Sequence, residues 1–347
     1  MLKIRQLPTG PLNAITDVKG VRVGHYTLSE REIQTGITVI FPHEGNVFKE
    51  KLIGASYVIN GFGKSIGLVQ VDELGTIESP IALTNTFAVG RVATGLIQHM
   101  LDQNPDIGLA TGTINPLVFE CNDGLLNDIR GLHIQEKHVP LAIDNAQIEF
   151  EQGAVGAGTG MCTFSLKGGI GSSSRVVKID AHDYTVGVLI LSNFGRLSTL
   201  TIDGEKTGEH ISQQINQQTE KASVNSEPTE PEKEKGSMIA IIATDIPMND
   251  RQLKRLCKRV PAGMARTGAY FGNGSGDIVL AFSTATKIPH DMTSPVLIVP
   301  QIHENKIDTV FGAVIEATEE AILKSMFHAK TVKGRKEREV KSITEYL

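Results

Sequence analysis

The sequence predicts an α/β fold in which the two parts of the chain on either side of a polar tract share one body. Strand-like and helix-like segments alternate before and after that tract, as in folds built from layers of helices and sheets. Tyr184–Phe194 is a nearly continuous apolar run, which is typical of a strand covered on both faces. Glycine is abundant, with 35 residues among 347, and this favours tight turns over a helical bundle.

The first half of the chain is predicted to contain short strands followed by a helix. Apolar residues at roughly helical spacing predict the helix over Thr84–Leu101, and Asn104-Pro105 lies just beyond its end. β-branched runs bounded by Gly, Asn or Pro predict the strands. These runs are Val21–Tyr26, Gly36–Phe41, Ser56–Ile59 and Ile66–Val71.

The composition changes sharply over Glu205–Lys235. This segment has no aromatic residue and only four aliphatic side chains among many Gln, Glu, Lys and Pro residues. It cannot bury enough apolar surface to offset the entropy of ordering it. We therefore expect a flexible linker over residues 205–235, most clearly in its second half.

Regular elements resume directly after the linker. Asn249–Arg266 has helical periodicity, and Pro261 inside it predicts a kink in this helix. Thr309–Phe327 is the second predicted helix of this part. The predicted strands are Met238–Thr244, Ile278–Ser283 and Val296–Val299.

Composition and motifs argue against several classes of function. The 34 basic and 39 acidic side chains give a net charge of −5, which offers no reason to expect a nucleic-acid partner. No apolar stretch is long enough to cross a membrane or to act as a signal peptide. Gly63-Lys64-Ser65 lacks the earlier glycine of a P-loop, and His43-Glu44 lacks the second histidine of HExxH. Three widely spaced cysteines disfavour a disulfide framework or zinc site. We expect a cytoplasmic protein without metal or other cofactor.

The Gly236-Ser237 junction is the most informative position for function. It joins the polar linker to a buried strand, so that the peptide bond is accessible while the serine is held by the sheet. Cleavage of this bond would leave Ser237 with a hydroxyl and an α-amine of pKa about 7.7–8.0, which suits a nucleophile paired with its own base. An uncut loop with an incidental Gly-Ser pair is the alternative.

Several segments, in order, resemble the DmpA/BapA family of aminopeptidases, which comprises L-aminopeptidase/D-amino-acid esterase–amidases and β-aminopeptidases. The resemblance covers nearly the whole chain except the linker. It is carried by Gly10–His25, Gly67–Gly90, Glu120–Gly131, Ser192–Gly204 and Gly236–Thr284.

The resemblance implies a fold, an assembly and a maturation step. The fold is a four-layer α/β/β/α sandwich of the DmpA/ornithine-acetyltransferase type, similar to N-terminal-nucleophile hydrolases. Self-cleavage at Gly236-Ser237 would give fragments 1–236 and 237–347, which stay together in one structural body. Family members form oligomers of processed units, and a homo-oligomer is expected here.

The resemblance also implies roles for individual residues in the hydrolysis of small peptides, amino-acid amides or esters. Ser237 is the nucleophile, supported by Ser275 and Asp277 of the NGSGD turn. Asn193 is an oxyanion donor, and Glu120 pairs with the free amino group of the substrate. No metal takes part.

Two departures and two alternatives stay open. The linker is long and acidic for the family, and Leu125 and Leu126 lie where some members place a pocket-lining tyrosine. One alternative function is acyl transfer of the ornithine-acetyltransferase type, in which threonine is the usual nucleophile. The other is an uncleaved, inactive relative that binds a small molecule.

Overall fold

The computed structural model describes residues 6–220 and 236–347. Its strands are β1 Arg22–Glu30, β2 Ile33–Phe41, β3 Glu50–Gly61, β4 Thr76–Ile77, β5 Ile81–Asn85, β6 Leu117–Cys121, β7 Cys162–Thr163, β8 Leu166–Lys167, β9 Ile170–Ile179, β10 His182–Asn193, β11 Ser237–Thr244, β12 Gly276–Pro289, β13 Val332–Lys333 and β14 Glu339–Val340. The helices are α1 Leu68–Leu74, α2 Val89–Gln103, α3 His138–Asp144, α4 Thr207–Glu220, α5 Asp250–Cys257, α6 Val260–Arg266 and α7 Ile307–Phe327.

Two β-sheets form the centre of the protein. The smaller sheet has the strand order β1-β2-β5-β6, and the larger has the order β4-β3-β12-β11-β10-β9. In the larger sheet, β11 lies between β10, which is antiparallel to it, and β12, which is parallel to it. The two strands that follow the polar tract, β12 and β11, therefore lie between strands that precede it.

Alternate residues of β11 enter two different cores. Met238, Ala240 and Ile242 pack with α5, α6 and α7 on one side of the sheet. Ile239, Ile241 and Ala243 pack against the smaller sheet on the other side. Because both faces are covered, the strand needs an almost unbroken apolar sequence. Each fully buried Ile contributes about 1.5–3 kcal/mol relative to an exposed one.

The outer face of the smaller sheet is covered by α2 and α3. Ile37 and Val118 of this sheet pack with Val92 and Leu96 of α2 and with Val139 of α3. The layers thus run helices, sheet, sheet, helices. This arrangement confirms the predicted four-layer α/β/β/α sandwich.

Two predicted strands are wrong. Residues 66–71 turn at Gly67, which has a φ of 93°, and enter α1, where Val71 is buried and Val69 points to solvent. A short apolar run of this kind does not distinguish a helix from a strand by its pattern alone. Val296–Val299 is irregular and largely exposed, with Ile298 at 91%. Pro261 lies in the first turn of α6, so it begins a separate helix instead of kinking a long one.

The predicted linker also needs a correction in its first half. Residues 207–220 form α4, although the composition of this stretch is mostly polar. Ile211 is buried in the core beneath the larger sheet, and Ile215 packs against that core. Two apolar side chains one turn apart thus give this polar helix a face that packs against the core. Residues 221–235, the rest of the predicted linker, lie outside the described residues.

Within the two described ranges, none of the helices combines the length and the apolar character that a bilayer-spanning segment needs.

Candidate active site

Ser237 lies at the start of β11, between two neighbouring strands. Its register partners are Asn193, the last residue of β10, and Gly276, the first residue of β12. The serine is 5% exposed. The sheet therefore brings together three segments that are distant in the sequence, and it holds the Ser237 hydroxyl at one edge of the buried layer.

Gly236 is confined by the end of β10. A Cβ atom at this position would lie 2.5 Å from Phe194 Cα and 2.7 Å from the Asn193 carbonyl oxygen. Only glycine fits such a close approach of two backbones. The Gly236 carbonyl oxygen accepts a hydrogen bond from the backbone N–H of Gly276, with an N···O distance of 3.3 Å.

The Asn193 side chain is held in one orientation by its neighbours. Its Oδ1 accepts the backbone N–H of Cys162 at 2.9 Å, and its Nδ2 donates to the Asn122 carbonyl oxygen at 3.0 Å. Since one end must accept and the other must donate, the amide is aligned with Nδ2 towards Ser237. The distance from Asn193 Nδ2 to Ser237 Oγ is 3.5 Å.

Ser275 and Asp277 flank Gly276, the neighbour of Ser237. Ser275 Oγ donates to Asp277 Oδ1 at 2.8 Å, and both residues are 1% exposed. The turn before them is fixed by Asn60, whose Nδ2 donates to the carbonyl oxygens of Gly272 and Ser275 at 2.8 and 2.6 Å. The hydroxyl and the carboxylate thus form a pre-arranged pair on either side of Gly276.

Glu120 lies at the end of β6, with only 3% of its surface exposed. Its Oε1 accepts the backbone N–H of Lys64 at 3.0 Å, and its Oε2 accepts the hydroxyl of Thr86. A Cβ atom on Gly63 would lie 3.8 Å from Glu120 Oε1 and 3.9 Å from Gly276 Cα. The carboxylate is therefore separated from the Ser237–Gly276 ladder by little more than one glycine.

No cationic side chain of the described residues forms an ion pair with Glu120. A buried carboxylate is costly unless it is paired and hydrogen-bonded. Two neutral donors meet the hydrogen-bonding requirement but leave the charge uncompensated. The site thus suits the ammonium group of a ligand.

Two further titratable groups follow Glu120 in the sequence. Burial raises the pKa of the Cys121 thiol well above its usual range, although the thiol is hydrogen-bonded to Ser237. The thiol therefore stays protonated and is a poor nucleophile. Burial raises the pKa of Asp123 to about 7, against the opposing hydrogen bonds from Thr35 and Asn127.

A sequence model of peptidase family S58 matches residues 13–340, which is nearly the whole chain. The chain belongs to this family. The predicted resemblance to the DmpA/BapA aminopeptidases is confirmed, and with it the prediction of a hydrolytic enzyme, an aminopeptidase of this family. Among the described residues of the S58 peptidase, no three His, Cys, Asp or Glu side chains are grouped closely enough to hold a metal ion.

Similar proteins support this assignment. The chain is 37% identical over 338 residues to the β-peptidyl aminopeptidase BapA of Sphingosinicella microcystinivorans, covering 94% of this chain and 84% of the relative. It is 46% identical to the PH0078 protein of Pyrococcus horikoshii OT3, with a TM-score of 0.91 and coverage of 99% and 95% of the two chains.

A third similar protein informs the fold. It is the L-aminopeptidase D-Ala-esterase/amidase of Ochrobactrum anthropi, described as a serine aminopeptidase with a variant of the Ntn-hydrolase fold. This chain is 33% identical to it, with a TM-score of 0.86, and the similarity covers 97% of this chain and 93% of the other. The predicted likeness to N-terminal-nucleophile hydrolases is confirmed.

The groups that hold the predicted site residues in place were not predicted from the sequence. They are mostly backbone amides, those of Lys64, Cys162 and Gly276, together with the side chains of Asn60 and Thr86. A backbone N–H carries no residue signature, and sequence patterns therefore do not reveal it. The roles of Ser237, Ser275, Asp277, Asn193 and Glu120 stay predictions that their geometry makes specific.

Proposed function

We propose that this S58 peptidase activates itself by cutting the Gly236–Ser237 bond and then acts as an N-terminal-serine aminopeptidase. The observation that supports this most is the Gly236 carbonyl group. It belongs to the scissile bond, precedes the Ser237 hydroxyl directly, and accepts the Gly276 N–H. The Asn193 amide approaches the same hydroxyl from the opposite strand.

Self-cleavage begins with attack of Ser237 Oγ on the Gly236 carbonyl carbon. The hydroxyl loses its proton, the carbonyl oxygen becomes an oxyanion, and the Gly276 N–H stabilises the developing charge. The C–N bond then breaks, the Ser237 nitrogen takes up a proton, and an ester joins Gly236 to Ser237. Water hydrolyses this ester, which leaves a carboxylate on Gly236 and a free Ser237.

Turnover uses the same serine on a substrate. The new α-amine of Ser237 has an unperturbed pKa of about 7.7–8.0, so its neutral form is available to accept the hydroxyl proton near neutral pH. Ser237 Oγ attacks the carbonyl of the N-terminal residue, Asn193 Nδ2 donates to the oxyanion, and the leaving amine takes a proton. Ser275 and Asp277 assist these proton transfers through their hydrogen-bonded pair. Water releases the amino acid from the acyl-enzyme.

Glu120 selects the substrate by its charge. A free amino group carries a positive charge at the chain terminus, and the uncompensated carboxylate of Glu120 attracts it. We therefore propose small peptides and amides or esters of amino acids as substrates. The short distance from Glu120 to the Ser237 ladder supports removal of one residue at a time.

The test is the mass of the purified protein together with its activity on an amino-acid p-nitroanilide. We expect fragments 1–236 and 237–347, the second beginning Ser-Met-Ile-Ala, with hydrolysis of the p-nitroanilide. Ser237→Ala is expected to remain one chain and to lose activity, whereas Ser294→Ala, on an exposed loop, keeps both properties. An intact chain that hydrolyses the substrate would refute the proposal.

An amine acceptor in the same assay addresses acyl transfer. With hydrolysis, the acyl group leaves as the free amino acid even when the acceptor is present. Predominant formation of an acceptor adduct would instead support a transferase of the ornithine-acetyltransferase type.

We also propose that processed units assemble into a homo-oligomer. Residues 291–300 are exposed throughout and include Val296 at 71% and Ile298 at 91%. Exposed apolar segments of this kind are typical of protein interfaces. Light scattering of the purified protein is expected to give a mass above that of one unit, and Ile298→Asp is expected to lower it.

A cytoplasmic location is part of the proposal. The three cysteines are free, and Cys121 and Cys257 are buried, which is compatible with a reducing compartment. Release of the activity only on lysis, and not on osmotic shock, is the expected result.

A further inference from the structure

Lys167 is a completely buried lysine near the active site. Its Nζ donates to three backbone carbonyl oxygens, those of Gly158, Met161 and Gly168, at 3.1, 2.5 and 2.7 Å. In the part of the chain that the structure describes, no carboxylate forms an ion pair with it. Burial lowers the pKa of Lys167 to about 8, partly opposed by Cys162, so the ammonium form still predominates at neutral pH.

A buried ammonium without a carboxylate partner destabilises the fold unless its donors are all used. Here three N–H groups meet three carbonyl groups, which matches the donors of a lysine one to one. An apolar residue of similar size would fill the same space at a lower desolvation cost. Packing alone therefore does not account for a lysine at this position.

One of the three carbonyl groups belongs to the Met161–Cys162 peptide. The oxygen of this peptide accepts from Lys167, while its N–H, contributed by Cys162, donates to Asn193 Oδ1 at 2.9 Å. Because a peptide group is planar, fixing its oxygen also fixes the direction of its N–H. A charge on the oxygen also polarises the group, which strengthens the hydrogen bond on the other side.

The β7–β8 hairpin places Lys167 within hydrogen-bonding distance of the Met161 carbonyl oxygen. Cys162 and Lys167 are register partners in that hairpin. Gly158 and Gly168 allow the surrounding backbone to close in, since a Cβ on Gly168 would lie 1.9 Å from Thr163 Oγ1. The carbonyl groups thereby converge on one point.

We infer that Lys167 is a positioning residue for the oxyanion donor. Its ammonium group holds the Met161–Cys162 peptide, together with the Gly168 N–H, which donates to the same Met161 oxygen at 3.2 Å. That peptide holds Asn193 Oδ1, and Asn193 Nδ2 is thereby kept directed at Ser237. Lys167 touches neither substrate nor nucleophile. The inference rests on the proposed function, in which Asn193 stabilises the oxyanion.

The test compares Lys167→Met, Asn193→Ala and the double variant, with kcat expressed per Ser237 α-amine, counted by N-terminal sequencing. Loss of an oxyanion donor lowers kcat about 100- to 1000-fold, and loss of its support is expected to lower kcat about 10- to 100-fold with KM within about twofold. Because Lys167 is inferred to act through Asn193, adding Lys167→Met to Asn193→Ala is expected to cause no further loss of kcat. Leu166→Ala, on the same hairpin, is the control for general destabilisation and keeps its kcat.

Three results would overturn the inference: kcat unchanged in Lys167→Met, losses that multiply in the double variant, or an equal loss in Leu166→Ala. If Lys167→Met does not fold, Lys167→Gln replaces it, since glutamine keeps two N–H donors without the charge. A loss of kcat at constant KM in Lys167→Gln would support the inference, and a wild-type kcat would contradict it. Full activity in Ser237→Ala or Asn193→Ala would instead contradict the proposed function, so failure of the proposed function can be distinguished from failure of this inference.

Discussion

The backbone N–H of Gly276 donates to the carbonyl oxygen of Gly236 at 3.3 Å, across the parallel ladder of β11 and β12. In a continuous parallel sheet such a bond is ordinary. Here it falls on the peptide group that precedes the candidate nucleophile, so a bond of the sheet also polarises the proposed cleavage site. If the proposed self-cleavage takes place, it therefore depends on this strand pairing, and we expect the chain to fold before it is cut.

A side chain at position 236 is expected to impair maturation. Gly236→Ala would bring a Cβ atom to 2.5 Å from Phe194 Cα, so the end of β10 or the scissile peptide must move. We expect slower self-cleavage, measured as the fraction of intact chain over time after refolding. Gly90→Ala is the matched control, since nothing lies within 4 Å of its added Cβ and alanine favours the helix. Equal cleavage rates in the two variants would contradict the prediction.

Neutralising Glu120 is expected to weaken the recognition of the substrate amine. Charged hydrogen bonds of this kind contribute about 1.5–3 kcal/mol, so Glu120→Gln is expected to lower kcat/KM roughly 10- to 100-fold. The loss is expected mainly in KM, because the carboxylate binds the amine in the ground state as well. The exposed Glu149→Gln is the control. A purely kcat effect would assign Glu120 to the chemical step instead.

Ser275 and Asp277 are expected to act as one unit because they are hydrogen-bonded to each other. Ser275→Ala and Asp277→Asn are each expected to lower kcat, within the range of about 100- to 10,000-fold typical of groups that move protons. The double variant is expected to lose little more than the worse single variant. Ser283→Ala, a buried serine farther along β12 whose hydroxyl binds the Ile246 carbonyl, is expected to retain kcat. Fully multiplicative losses would show that the pair works independently.

Asp123 is expected to make the stability depend on pH. Its folded pKa of about 7 exceeds the usual 3.8, so the folded chain binds the proton more tightly than the unfolded chain between these values. The resulting stabilisation is complete below about pH 4 and is lost as the pH rises through 7. A three-unit shift corresponds to about 4 kcal/mol.

The measurement is urea unfolding of full-length Ser237→Ala, with and without Asp123→Asn, from pH 4 to 8. Asp123→Asn is expected to remove most of the decline in the free energy of unfolding with rising pH. Asp183→Asn, at an exposed position, is expected to leave this decline unchanged. Parallel pH curves for the two aspartate variants would refute the assignment.

The residue patterns predicted an α/β body and the Gly236-Ser237 junction, and the resemblance to the DmpA/BapA aminopeptidases implied the four layers and the other candidate residues. The apolar run Met238–Thr244 predicted a buried strand, and alternate residues of β11 do fill two cores. The Gly236-Ser237 junction was visible as a change of composition. These features are local in the chain, and local patterns express burial and chemistry directly.

Tertiary structure decided the partners of these residues. The conformation of short apolar segments such as Ile66–Val71 depends on their tertiary contacts. The polar stretch of α4 is helical where Ile211 packs into the core. The amides of Gly276 and Cys162 became part of the site through pairings between residues distant in the sequence. Every non-proline residue carries such an N–H, so only the folded arrangement determines which ones meet Gly236 and Asn193.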